Sequence, residues 1–162
     1  MDLEFKKELL RDLINQLEQD LINAEIVAKD SRDAAINEES KPENEYDTRA
    51  IEASYLAGAQ AHRVRELEAQ VQILRIFPIQ MFNESSKIDA SALVLLSLDG
   101  EEHWFFLLPQ GGGKVLKKKG FEISTLTPQS PLAQEILGLK RSDSAFLQKK
   151  EKLVEIEVLE IL

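Results

Sequence analysis

The chain has 162 residues, 43% hydrophobic and 30% charged, with a formal net charge of −9. That balance allows a buried core but disfavours direct binding to a nucleic-acid backbone, which needs clustered Lys and Arg. With no cysteine and two histidines, disulfides, thiolate nucleophiles and zinc sites rich in Cys or His are excluded. The N-terminus, Met1-Asp2-Leu3-Glu4-Phe5, lacks an apolar signal segment, and no apolar run is long enough to span a bilayer. A cytoplasmic location without membrane contact is expected.

Residues 2 to 76 hold one glycine, Gly58, and one proline, Pro42, amid good helix formers. One apolar stripe reads Leu10, Ile14, Leu17, Leu21, Ala24, Ala28, Ser31, Ala35. A second reads Tyr46, Ala50, Ala53, Ala57, Gln60, Val64, Leu67, Val71, Leu74. Both follow a three–four repeat, the seam of a coiled coil. They also mirror each other. A reversal near Ser40–Lys41 sets Leu10 against Val71, Leu17 against Val64 and Ala28 against Ala53. That matching predicts a monomeric antiparallel hairpin reaching roughly 45 Å, with closer helices toward the alanine end. An intermolecular coiled coil is the competing arrangement.

The reversal, Glu38-Glu39-Ser40-Lys41-Pro42-Glu43-Asn44, carries its own signals. Ser40 and Glu43 fit a capping box, and Pro42 falls in the first turn of the second helix. Glu45 and Asp47 suit a helix N-terminus. Glu38 and Glu39 sit at a helix C-terminus, where negative charge is unfavourable, so they are the stronger hint of function.

Composition changes near Phe77–Asn83, dividing the chain into a hairpin over 1–77 and a β-rich domain over 78–162. Leu93–Leu98 and His103–Leu108 flank Asp99-Gly100, a hairpin signal. Gln110-Gly111-Gly112-Gly113-Lys114 is read as a turn, because it lacks the spacing of a phosphate loop. Lys114–Lys119 and Phe121–Leu126 are further strand candidates, and Lys117-Lys118-Lys119 suits a strand edge. Ser130-Pro131 fits the cap and first position of a helix through Leu137, closed by Gly138. Val154, Ile156 and Val158 alternate with Glu155 and Glu157, a strand wet on one face. The fold class is therefore α+β.

These residues together resemble a family. Glu43-Asn44-Glu45-Tyr46 at the tip, Arg63-Val64-Arg65-Glu66-Leu67-Glu68 on the second helix, and Thr127-Pro128-Gln129-Ser130-Pro131-Leu132-Ala133 are similar to segments of the bacterial Gre transcript-cleavage factors and the wider Gre/Rnk group. Leu137-Gly138, Asp143 and Val154-Glu155-Ile156-Glu157 extend the likeness, which spans essentially the whole chain. It implies an FKBP-like second domain that docks on RNA polymerase, with Gln129, Ser130 and Pro131 as partner-binding residues. It further implies a hairpin entering the polymerase secondary channel. There Glu39, Glu43 and Asn44 would assist catalysis, and Glu39 and Glu43 would share a Mg²⁺ ion with the polymerase.

On this reading the protein has no cofactor of its own and is not an enzyme. It stimulates the polymerase's own cleavage of backtracked RNA, with only indirect contact to nascent RNA and DNA. The family's other tip acid corresponds to Ser40, with Glu39 one residue away. That departure keeps open a channel-binding regulator or inhibitor without cleavage activity. A structural coiled-coil adaptor is the alternative from another class. A prolyl isomerase is weak, because fold does not imply function and the sequence offers no aromatic-lined pocket.

Overall fold

The computed structural model describes residues 2–39, 47–83, 85–150 and 152–162, and of Glu38, Glu39 and Asp47 the backbone only. Two long helices come first: α1, Leu3–Glu39, and α2, Asp47–Ile76. There follow β1 (Leu93–Leu98), β2 (Glu101–Leu107), β3 (Val115–Lys118), β4 (Phe121–Leu126), α3 (Pro131–Ile136), β5 (Ser144–Lys149) and β6 (Lys152–Ile161). The chain divides into two compact units, Met1–Ile14 with Ile73–Leu162, and Asn15–Gln72. Since α1 leaves the first unit and α2 returns to it, the helices run antiparallel. The expected turn and its Ser40–Glu43 capping box fall on residues 40–46, outside the described residues.

In the sheet unit, six strands lie in the order β3-β4-β2-β1-β6-β5. Strand β2 pairs parallel with β4, and every other pairing is antiparallel. Asp99 and Gly100 both take positive φ, 52° and 91°, as the tight β1–β2 turn requires. Asp99 also reaches sideways, its Oδ1 accepting from the Glu155 amide at 3.0 Å, so one turn residue ties three strands.

One sheet face carries Val94, Leu96, Phe105, Leu107, Ile156 and Val158, packed with Ile88 and with Ile136 of α3. On the other, Leu93, Phe106, Leu116 and Ile123 are buried. The first turns of α1 belong to this side. The Phe5 ring meets Phe121 edge-on at 6.3 Å, and Phe121 meets Trp104 likewise at 6.3 Å. Asp2 caps the helix through the Phe5 amide at 2.8 Å. Phe5, Lys6, Leu9, Leu10 and Leu13 are all buried, a wider stripe than the expected seam beginning at Leu10. A helix base that also faces a sheet needs more than the two positions per heptad of a coiled coil.

In the helix unit, the seam recurs as the less exposed side of each helix. Leu17, Ala35, Leu67 and Val71 are buried. Leu21, Ala24, Ala28, Ala53, Ala57 and Val64 are half-buried. Alanine covers little area, so its stretch of the seam stays partly open.

Candidate functional site

The segment singled out for partner binding is built on a capped turn. The Ser130 amide donates to the Thr127 carbonyl at 2.9 Å. Its side-chain oxygen then accepts from the Ala133 amide at 3.2 Å, and Pro131 opens α3. Gly138, at φ 84°, follows the Leu137 cap as expected. Ser130 is thus occupied by the helix, while Gln129 and Pro131 are exposed. Ala133 and Ile136 anchor the helix from beneath. The arrangement presents an amide and a rigid ring on a fixed support. The Gln129–Pro131 turn carries no titratable side chain, Glu135 lying further along α3, so the turn suits docking rather than chemistry.

The glycine loop lies next to this turn. Thr125, buried, donates from Oγ1 to the Gly111 carbonyl at 2.6 Å and accepts from the Lys114 amide at 2.9 Å. The Gly113 amide donates to the Thr125 carbonyl at 2.9 Å. The Gly113 and Lys114 amides are thus committed within the fold and do not point to a phosphate. Gly111 and Gly113 have φ of 75° and 77°. A Cβ on Gly112 would stand 2.9 Å from Thr127 Cγ2, so glycine there lets the loop close on the segment leading to Ser130.

The three lysines serve the fold rather than an open basic patch. Lys118 Nζ bridges Asp12 at 2.8 Å and Glu8 at 3.3 Å, and its ammonium pKa is raised, chiefly by the hydrogen bond to Asp12. Lys117 pairs with Glu122 at 3.1 Å, and Lys119 stands 5.6 Å from the Phe5 ring centre. Together Lys118 and Lys119 fasten the first turns of α1 to the β3–β4 hairpin.

Lys6 is the functional-looking residue that the sequence reading passes over. It is 1% exposed, donates to the carbonyls of Gln80 and Leu162 at 2.8 Å each, and lies 4.7 Å from the Phe82 ring centre. Burial lowers its pKa to about 8. One signal was present: Lys6 is three and four residues from Leu9 and Leu10, hence on the apolar side of the helix.

Of the expected tip residues, Glu39 closes α1, whereas Glu43 and Asn44, with Ser40, lie outside the described residues. Among the described residues, no group of three or more His, Asp or Glu side chains could hold a metal ion. No helix among them is long and apolar enough to cross a membrane. The site therefore has two parts in sequence, of which one, the Thr127–Ile136 segment, falls among the described residues.

Comparison with known protein families finds no match, and comparison with curated proteins finds none either. Among solved structures, the chain is similar to GreA factor homolog 1 (Gfh1) of Thermus thermophilus, with 17% identity, coverage of 96% of this chain and 93% of that one, and a TM-score of 0.38. It is similar to Gfh1 of Thermus aquaticus at 18% identity, 91% and 92% coverage and TM-score 0.39. It is also similar to the transcription elongation factor GreA/GreB of Nitrosomonas europaea at 14% identity, 82% and 91% coverage and TM-score 0.37. At such identities and superpositions the likeness transfers no residue role.

Proposed function

We propose that this chain is a Gre-like transcription factor that binds bacterial RNA polymerase and stimulates cleavage of backtracked nascent RNA. The sheet unit docks on the polymerase through the Gln129–Pro131 turn, and the helix pair enters the secondary channel. The observation that carries this reading is the Thr127–Ala133 motif, which resembles the family's segment and forms a capped turn with Gln129 and Pro131 exposed. It occurs in one chain with two long antiparallel helices whose connection is rich in acids.

Carboxylates are hard oxygen donors of the kind Mg²⁺ accepts, so Glu39 and Glu43 fit a shared ion chemically. When bound with the polymerase, that ion would supply charge stabilisation and an activated water for phosphodiester hydrolysis. Glu39 and Glu43 would hold it from the hairpin side, and Asn44 would assist beside them. The reaction belongs to the polymerase, and this chain is not itself an enzyme.

One sequence observation favours a second reading. Ser40 stands where the family carries its other acid. If Glu39 does not replace it, the chain occupies the channel and regulates transcription without cleavage.

The test of docking is a titration of fluorescently labelled chain with bacterial core RNA polymerase. Gln129→Ala with Pro131→Ala should weaken binding by about tenfold or more, as loss of a central docking contact does. Glu43→Ala should leave affinity unchanged. Absence of binding by the wild type would refute the reading and leave the adaptor alternative.

A further inference from the structure

A groove within the helix unit is separate from the Gln129–Pro131 turn and from the tip acids. It has a volume of about 870 Å³ and runs between residues 25–36 of α1 and 57–65 of α2. Its floor is Ala28, Ala57 and Val64, half-buried seam residues whose small side chains leave the space. Its rim carries three cations, Lys29, Arg32 and Arg65, against Glu25 and Asp33. A local cationic excess is unusual for a chain of net charge −9. Among the described residues, neither Arg32 nor Arg65 has a hydrogen-bond or ion-pair partner.

Gly58 adds an independent observation. It sits inside α2, exposed, with nothing within 4 Å of where its Cβ would be. A glycine inside a helix weakens it, and no contact among the described residues requires one here. Gly58 lies three residues from Ala61 and seven from Arg65, which puts it at the edge of the groove that they line rather than in its lining. A glycine at that place lets another chain come closer than any side chain would permit.

We propose that this groove docks an amphipathic helix of a protein partner, with aliphatic side chains entering over Ala57 and Ala61 and flanking carboxylates received by Arg32 and Arg65. A trough between two helices with a small-residue floor accepts the side-chain ridge of a third helix. Arginine pairs carboxylates through two parallel hydrogen bonds, which fixes the register of the incoming helix. The inference goes beyond the polymerase reading and does not depend on it.

The test uses the full chain and a fluorescein-labelled, helix-forming peptide of about 15 residues, with leucine at every third or fourth position and glutamate beside each. A second peptide replaces each glutamate by lysine, and a single-stranded RNA oligomer serves as a polyanion without the apolar ridge. Fluorescence anisotropy should show saturable binding of the glutamate peptide and binding of the lysine peptide weaker by about tenfold or more. Arg32→Glu combined with Arg65→Glu should invert that order. Gly58→Leu should weaken the glutamate peptide by about tenfold through steric exclusion, and since leucine is the better helix former the variant keeps its helix content in circular dichroism. No saturable binding, equal binding of both peptides, or preference for the RNA would overturn the proposal. So would sedimentation showing a dimer of this chain that Gly58→Leu abolishes, because the occupant would then be a second copy.

Discussion

Single side chains decide how the first turns of α1 are held. Lys6 is the sharpest case, an ammonium buried between two carbonyls and a ring. Its pKa of about 8 lies below the ordinary 10.5, so the unfolded chain holds the proton more tightly than the folded one. Folding stability should therefore rise with pH from about 8 toward 10.5, and Lys6 should contribute no slope below that window. Lys118 has the opposite shift, so its contribution declines only as pH rises above the ordinary lysine value and leaves the window clear. Urea midpoints measured across the window should increase for the wild type and lose that increase in Lys6→Met. A flat wild-type profile would contradict the burial of a charged Lys6. At neutral pH, Lys6→Met should also cost about 1–3 kcal/mol, because the Gln80 carbonyl loses its charged donor.

Ser130 works at the same scale but for a different element. Replacing it by Ala removes the acceptor for the Ala133 amide and should lower stability by about 1 kcal/mol, measured by denaturant unfolding. Its effect on polymerase affinity should be smaller than that of altering Gln129 and Pro131, since Ser130 is engaged with its own helix. An unfolding curve unchanged by Ser130→Ala would show that the cap does not hold α3.

Elements whose apolar pattern matches one simple environment were legible in the sequence. Strands β1 and β4 occupy the expected residues, because Leu93–Leu98 and Phe121–Leu126 lie between clear turns. The Asp99-Gly100 turn, the Ser130-Pro131 helix start and the alternation through Val154–Val158 also appear where residue chemistry places them. Strand β5 was missed. In Ser144–Lys149 the adjacent Phe146 and Leu147 hide the alternation, because Phe146 lies exposed while Leu147 packs on the core. The α1 base was read too narrowly, since a heptad seam anticipates a partner helix and not a sheet. Its weight can be measured: Leu9 is 0% exposed, and Leu9→Ala should destabilise the chain by about 3 kcal/mol. A loss under about 1 kcal/mol in the same unfolding experiment would mean that the sheet does not depend on this helix.

At the scale of the molecule, the sequence yields the order of parts, two long helices and then a mixed sheet with one short helix, because composition changes sharply where α2 ends. The grouping of residues 1–14 with the sheet is a tertiary fact that composition does not encode. The candidate site was legible in halves. The Gln129–Pro131 turn could be read from Ser, Pro and Gly at fixed offsets and is present in the fold. The tip acids could be read as chemistry, but Ser40 and Glu43 fall outside the described residues. The groove of Arg32 and Arg65 could not be read at all, because it arises from side chains brought together by two helices.

Cleavage stimulation is tested most directly by RNA release from stalled complexes of bacterial RNA polymerase. With 3′-labelled nascent RNA and saturating Mg²⁺, the wild-type chain should accelerate release of short 3′ fragments. Glu39→Gln and Glu43→Gln should each slow that release by about tenfold to a hundredfold, the range typical of changes around a metal site, without loss of binding. A wild-type chain that saturates the complexes yet releases no short RNA would contradict cleavage stimulation and leave the reading of a channel-binding regulator.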